Sequence, residues 1–159
     1  MKLSEFIRPE LVKVGLEAEN KWDAITQLVD LIVAAKDIKP EHRADTLEVI
    51  FDRERSMSTG MERGIAIPHA NSSLLSEVVG AIGIAKSGVD FESLDNIPAQ
   101  LIVLLVIPKN KFQKHVRTLA GIARLFNHEQ MAIALRNAKD SEEVMKIIIA
   151  EEGKDLFFV

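Results

Sequence analysis

The sequence predicts an α/β protein, a mixed β-sheet sandwiched between helices, and three observations lead there. Short apolar runs bounded by turn residues occupy the middle of the chain, helical periodicity dominates on either side, and residues 101–107 (LIVLLVI) are apolar at every position. A strand covered on both faces reads in that last way. The order along the chain is a strand, two helices, several strands and then helices, which is the pattern of layers packed on a sheet.

Residues 11–16 (LVKVGL) form the first expected strand. Asn20 is placed to cap a helix reaching about Lys36, in which Trp22, Ile25, Leu28, Val29, Ile32 and Val33 fall on one face. Pro40 suits a first helical turn and opens a second helix that turns Ala44, Leu47, Ile50 and Phe51 inward and ends near Arg55. Beyond the turn-forming SMSTG stretch (56–60), residues 65–67 read as a buried strand that ends at Pro68. Two further strands are expected near residues 78–85 and 100–107. From Phe112 the spacing Phe112, Val116, Leu119, Ala123, Phe126 is helical. Asn127 with Gln130, and Asp140 with Glu143, resemble the N-caps of two shorter helices.

With 159 residues and no internal repeat or linker, a single domain over residues 1–159 is expected. The 47% apolar and 28% charged composition excludes a disordered chain. A net charge of −4 disfavours a general nucleic-acid binder. The absence of cysteine removes disulfides, zinc–thiolate and iron–sulfur ligation, and any cysteine nucleophile. The apolar run closed by Pro108 falls far short of the roughly 20 residues of a membrane helix. Glu5, Arg8 and Pro9 interrupt the hydrophobic segment a signal peptide needs. A cytoplasmic protein without membrane insertion is the expectation.

Four histidines remain as carriers of chemistry: His42, His69, His115 and His128. Their separations of 27, 46 and 13 residues contain no helical metal-binding spacing, so neither a metal nor a cofactor is expected. His42 and His128 stand among charged neighbours at helix starts and read as solvated side chains. His69 follows Ile67-Pro68, where the proline fixes the backbone and delivers the imidazole in one direction. Position alone fits a strand-end histidine bonded into the core equally well; the neighbouring residues favour chemistry. Residues 53–60 (RERSMSTG) supply the Arg53 guanidinium, hydroxyls at Ser58 and Thr59, and a glycine, the parts that neutralise and orient a phosphoryl group. Residues 107–127 carry Lys109, Lys111, Lys114, Arg117 and Arg124 around His115 with no acidic residue. Cations at a helix start oppose its dipole unless an anion lies near, although a solvated basic face gives the same pattern.

On RERSMSTG (53–60), GIAIPHA (64–70), GVDF (88–91) and KHVRTLAGIARLF (114–126), the chain resembles the enzyme IIA components of the bacterial phosphoenolpyruvate-dependent sugar phosphotransferase system, of the mannitol/fructose and nitrogen-regulatory type. The resemblance implies a mixed sheet with helices on both faces. It implies that His69 is the phosphorylated residue, that Arg53 contacts the phosphoryl group and that His115 is a second active-site histidine. It also implies an HPr-like phosphocarrier protein as donor. Because the cysteine acceptor of mannitol- and fructose-type IIB components is missing here, the next partner is a separate IIB protein or a regulated target protein. The free-standing length leans the expectation toward regulation. A non-catalytic ligand- or partner-sensing domain of the same fold is the alternative, and the presence of His69, Arg53 and His115 speaks against it. Two positions depart from the family pattern, Glu62 in place of a glycine and Asn71 in place of a basic residue.

The chemistry follows from the side chains. An imidazole with a pKa of about 6.5 is largely neutral near pH 7 and offers one lone pair for attack on phosphorus. Its other nitrogen must hold a proton against an acceptor that the sequence does not name. An opposite charge about 4 Å from the transferred group is worth about 4 kcal/mol at an effective dielectric near 20.

Overall fold

The computed structural model describes residues 1–154; residues 155–159, the end of the expected domain, lie outside the described residues. The elements run β1 (Val12–Val14), α1 (Lys21–Ala34), α2 (Arg43–Ser56), β2 (Ile65–Ala66), β3 (His69–Ser72), β4 (Val79–Val89), β5 (Ala99–Pro108), α3 (Phe112–Phe126), α4 (Glu129–Arg136) and α5 (Ser141–Lys154). The sheet has the order β1-β4-β5-β2, with β3 following β2 along the same side of β5. β4 and β5 are antiparallel, whereas β1 lies parallel to β4 and both β2 and β3 lie parallel to β5, so the sheet is mixed as predicted. Every side chain from Leu101 to Ile107 is fully buried, which requires cover on both faces of β5. One helical group, α1 with α2, packs on β4 and β3; the other, α3 to α5, packs on β5, β4 and β1.

The first helix follows the predicted pattern. Asn20 Oδ1 accepts the Asp23 N–H at 2.9 Å as N-cap, and Ile25, Leu28, Val29 and Ile32 are buried, while Trp22 and Val33 are half-buried at its margin. The first strand is shorter than expected because residues Pro9–Leu11 form a 3₁₀ turn and Gly15 takes a positive φ of 75°. Leu16 nevertheless keeps the pairing, its N–H donating to the Ile84 carbonyl at 2.8 Å. Pro40 opens a 3₁₀ turn and the α-helix begins at Arg43. The inward stripe of α2 is Thr46, Leu47, Ile50 and Glu54; Ala44 is exposed and Phe51 half-buried, contrary to expectation.

Two other expectations need correction and one an addition. Pro68 ends the strand before it, as expected, but another short strand starts directly after it. It has no N–H to give, yet its carbonyl accepts the Leu105 N–H at 3.0 Å, and His69 begins a second short strand in register with Leu105. In α3 the expected stripe holds at Phe126, which is buried, and in part at Phe112, Leu119 and Ala123, which pack half-buried on the core; Val116 is exposed, and His115, Thr118, Ile122 and Leu125 are the further buried residues. Asn127 caps the C-terminus of α3, and α4 starts after His128 without a side-chain cap. The last helix start is as read, since Asp140 Oδ1 accepts the Glu143 N–H at 2.8 Å; the Glu143 carboxylate reaches back to the Lys139 N–H at 3.0 Å.

Candidate functional site

The extended Ile67-Pro68 pair turns the Ile67 carbonyl back toward the His69 ring, where it lies 2.7 Å from Nδ1. A carbonyl oxygen only accepts, so Nδ1 carries the proton and the neutral ring holds its lone pair on Nε2. Nε2 has no hydrogen-bond partner among the described residues. The ring is half-buried, and burial pushes its pKa below the ordinary imidazole value; the bond to Ile67 opposes that shift, the Arg53 charge adds to it and the Glu54 charge opposes it. A neutral imidazole near pH 7 with a fixed tautomer and an unoccupied lone pair is the form a nucleophile requires.

His69 opens into a cavity of about 280 Å³. Arg53, Ser58, Thr59 and Gly60 form one wall, and Leu119, Ala120 and Ala123 of α3 form another. Arg53 sits in the last turn of α2, a favourable place for a cation, and its Nη1 donates to the Met57 carbonyl at 2.9 Å. The two hydroxyls named from the sequence are in the wall, but their protons point away from an incoming anion. Ser58 Oγ donates to the Phe91 carbonyl. Thr59 Oγ1 donates to Glu54 Oε1 at 2.5 Å. The main-chain N–H groups beside them are occupied as well: Thr59 on Glu54 at 2.9 Å, Gly60 on Ser58 Oγ at 3.1 Å and Met61 on the Ile65 carbonyl at 2.7 Å.

His115 is placed differently from the others. It does not line the cavity; it is buried in the inward stripe of α3, one turn before Leu119, with Nδ1 3.2 Å from Thr118 Oγ1. Burial, then Lys114, the chain's amino terminus and Lys111 hold its pKa below the ordinary value, and Glu77 opposes them. The structure therefore lines one cavity with Arg53, Ser58, Thr59 and His69, and His115 is not among the residues that line it. The two departures lie outside the cavity too: Glu62 is exposed, and Asn71 is exposed two residues along β3 from His69. His42 is the N-cap of α2 and His128 that of α4, with no part in the site.

A larger cleft of about 510 Å³ lies elsewhere, bordered by Leu16, Lys86, Arg136 and Lys139, and it contains no histidine. Chemistry rather than size selects the His69 cavity. Among the described residues no group of three His, Asp or Glu side chains is placed to hold a metal ion, and no helix is long and apolar enough to cross a membrane.

Sequence reading missed the Ile67 carbonyl, which no side-chain pattern reveals, and Glu54. The second was within reach, because the spacing Leu47, Ile50, Glu54 puts a carboxylate on the buried stripe of α2.

Residues 5–151 match the family described as phosphoenolpyruvate-dependent sugar phosphotransferase system, EIIA 2. The chain belongs to this family. Among the relatives of this EIIA chain, the fructose-specific EIIABC component of Bacillus subtilis is 32% identical over 148 residues, which cover 93% of this chain and 23% of that protein. This EIIA chain thus spans about a quarter of the length of that relative. A nitrogen regulatory protein of Bradyrhizobium diazoefficiens is 28% identical over 93% of this chain and 95% of its own length. Among solved structures, nitrogen regulatory protein IIA-Ntr from Neisseria meningitidis superposes with a TM-score of 0.83 at 26% identity, covering 92% of this chain and 98% of that one. The Escherichia coli complex of IIAMTL with phosphorylated IIBMTL contains a chain of the same fold, with a TM-score of 0.75 at 18% identity over 91% of this chain and 97% of that one. The relatives of this EIIA chain carry both fructose-specific and nitrogen-regulatory names.

Proposed function

We propose that His69 is a phosphoryl carrier: Nε2 accepts a phosphoryl group from the phosphohistidine of an HPr-like protein and passes it to a separate protein, either a IIB component or a regulated target. The observation that carries this reading is the 2.7 Å bond from Nδ1–H to the Ile67 carbonyl, which leaves Nε2 as the nucleophilic nitrogen facing an open cavity. In the transfer, the bond between phosphorus and the donor's ring nitrogen breaks as the bond to Nε2 forms, and the departing imidazole keeps the electron pair. The His69 ring retains its Nδ1 proton, and the Ile67 carbonyl compensates the positive charge that develops on the ring at the transition state.

Arg53 is the cation of the cavity wall and neutralises the transferred group. The opposing wall of Leu119, Ala120 and Ala123 carries no charge. A site with one cation and an apolar side suits a phosphoryl group presented on a partner protein, whose own surface covers the apolar wall, better than it suits free phosphate in water. The donor class and the IIB partner rest on the family and on the fold shared with IIAMTL.

Incubation with phosphorylated HPr is expected to give one acid-labile, alkali-stable phosphate on the chain, absent from His69→Ala. Undiminished labelling of that variant overturns the assignment. Pull-downs with the phosphorylated and unphosphorylated forms then separate the two uses: capture of a IIB protein by the phosphorylated form supports transport, and capture of another protein by one form alone supports regulation.

A further inference from the structure

Directly after Arg53 stands a carboxylate that the transfer itself does not use. Glu54 is 2% exposed, and a buried charge persists only when it is paired and fully hydrogen-bonded. Three donors meet it. Lys21 Nζ lies 3.2 Å and the Thr59 N–H 2.9 Å from Oε2, and the Thr59 hydroxyl lies 2.5 Å from Oε1. Lys21, at the start of α1, is itself 4% exposed, and its ammonium also reaches the Glu92 carboxylate at 3.5 Å. From the opposite side the same loop is held by the 91–93 turn. Ser58 Oγ bonds the Phe91 carbonyl, and the space beside the Gly60 Cα is filled by Ser93 Oγ and the Phe91 carbonyl. The 58–60 wall of the His69 cavity is therefore clamped between Glu54 and that turn.

We propose that Glu54 is a positioning residue of the transfer site: its carboxylate, paired with Lys21, fixes the Ser58–Thr59–Gly60 wall and places a buried negative charge close to His69 that Lys21 partly masks. The proposal rests on the carrier reading of His69. The charged groups that face the ring are Arg53 and Glu54, both from α2. Lys21 and Glu92 stand behind Glu54, the α3 wall is uncharged, and the neighbouring residue on β5 is Leu105. Arg53 favours the neutral ring and Glu54 favours the protonated one, so the pair of residues adjacent in sequence sets opposing fields on one nucleophile.

The two members of the buried pair then have opposite signatures. Glu54→Gln removes the negative charge and lowers the His69 titration midpoint. Lys21→Met unmasks that charge and raises it. Both loosen the clamp, and both are expected to slow phosphoryl uptake about ten- to a hundredfold, the cost of misplacing a catalytic wall by up to about 1 Å. A role confined to packing would slow both variants without moving the midpoint in opposite directions.

The test is a pH titration of the His69 ring by NMR in the full chain, with uptake from phosphorylated HPr measured on the same samples. Opposite shifts in Glu54→Gln and Lys21→Met support the proposal; shifts of the same sign, or none, overturn it. Should either variant fail to fold, Thr59→Val and Thr59→Ser take over. The serine keeps the hydroxyl on Glu54 and is expected to transfer at least about fivefold faster than the valine, with the midpoint unmoved in both; equal rates overturn the proposal. The titration needs no phosphoryl donor, so failure of the carrier reading shows separately, as absent label on wild-type His69.

Discussion

Replacing Gly60 by alanine probes the clamp at its tightest point. A methyl group built there comes within 2.5 Å of Ser93 Oγ, 2.8 Å of the Phe91 carbonyl oxygen and 3.0 Å of Phe91 Cβ. The serine hydroxyl can rotate aside, and it has no hydrogen bond to lose among the described residues. The Phe91 carbonyl cannot, because it belongs to the backbone of a turn whose side chain is fully buried, and it also accepts from Ser58. Overpacking of this kind costs about 1–3 kcal/mol, and losing the Ser58 bond adds about 0.5–1.5 kcal/mol. The total of about 1.5–4.5 kcal/mol corresponds, in a protein of this size, to a fall in Tm of about 3–18 °C. Because the wall that must retreat faces His69, phosphoryl uptake is expected to slow about tenfold as well. Circular dichroism melts and uptake rates measured side by side check both effects. A Tm within about 1 °C of wild type with an unchanged rate would refute the close packing of the loop against the 91–93 turn.

Arg53→Lys replaces a planar fork of donors with a point charge, and uptake from phosphorylated HPr is expected to fall about 10- to 100-fold; a wild-type rate counts against guanidinium contact with the phosphoryl group. The lowered pKa of His69 has a thermodynamic side. Its contribution to stability is complete above the unfolded value of about 6.5 and is lost as pH falls from there through the lowered folded-state value. His69→Gln is therefore expected to lose part of the acid-side decline in urea midpoint between pH 7.5 and 5.5, and an identical decline in variant and wild type contradicts the shift. His115, lowered in the same direction, maintains the remainder. Asn20→Ala removes the acceptor for the Asp23 N–H and is expected to cost about 1 kcal/mol in urea unfolding; no change there would mean that α1 is capped by solvent.

Those features of the fold that depend on one pattern were legible from the chain alone. Residues 101–107 had to be a doubly covered strand, and Asn20 before an apolar 3.6-residue repeat had to start a helix; both are present. Where two patterns overlap, the sequence indicated only part of the buried face. In α3 the residues Val116, Leu119 and Ala123 follow helical spacing as well as His115, Thr118, Ile122 and Leu125 do, and hydrophobicity favoured the first set because the second includes a histidine and a threonine. Packing buried the second together with Phe126, and left Leu119 and Ala123 half-buried at its margin. The polar pair is accommodated by bonding to itself, Nδ1 to Oγ1, within one turn. The same effect hid Glu54, whose charge argued for solvent while its spacing argued for the core; a lysine from a different helix decided the matter.

At the site, residue types were legible and their assignments were not. Ser58 and Thr59 were named as donors to a phosphoryl group, and they do line the cavity, but a hydroxyl has one proton and each is directed into the clamp. With the N–H groups of residues 59–61 also occupied, the cavity wall is held rigid by the very donors that sequence reading assigned to the substrate. For the transfer proposed above, the cavity then offers the Nε2 lone pair and the Arg53 guanidinium. On the proposed carrier role, a site so sparing of donors gives little ground-state affinity to the phosphoryl group. For a carrier as proposed that is an advantage: interactions made only to the resting phosphohistidine would deepen the phosphorylated state and slow the onward step, whereas a contact that strengthens in the transition state lowers the barrier in both directions.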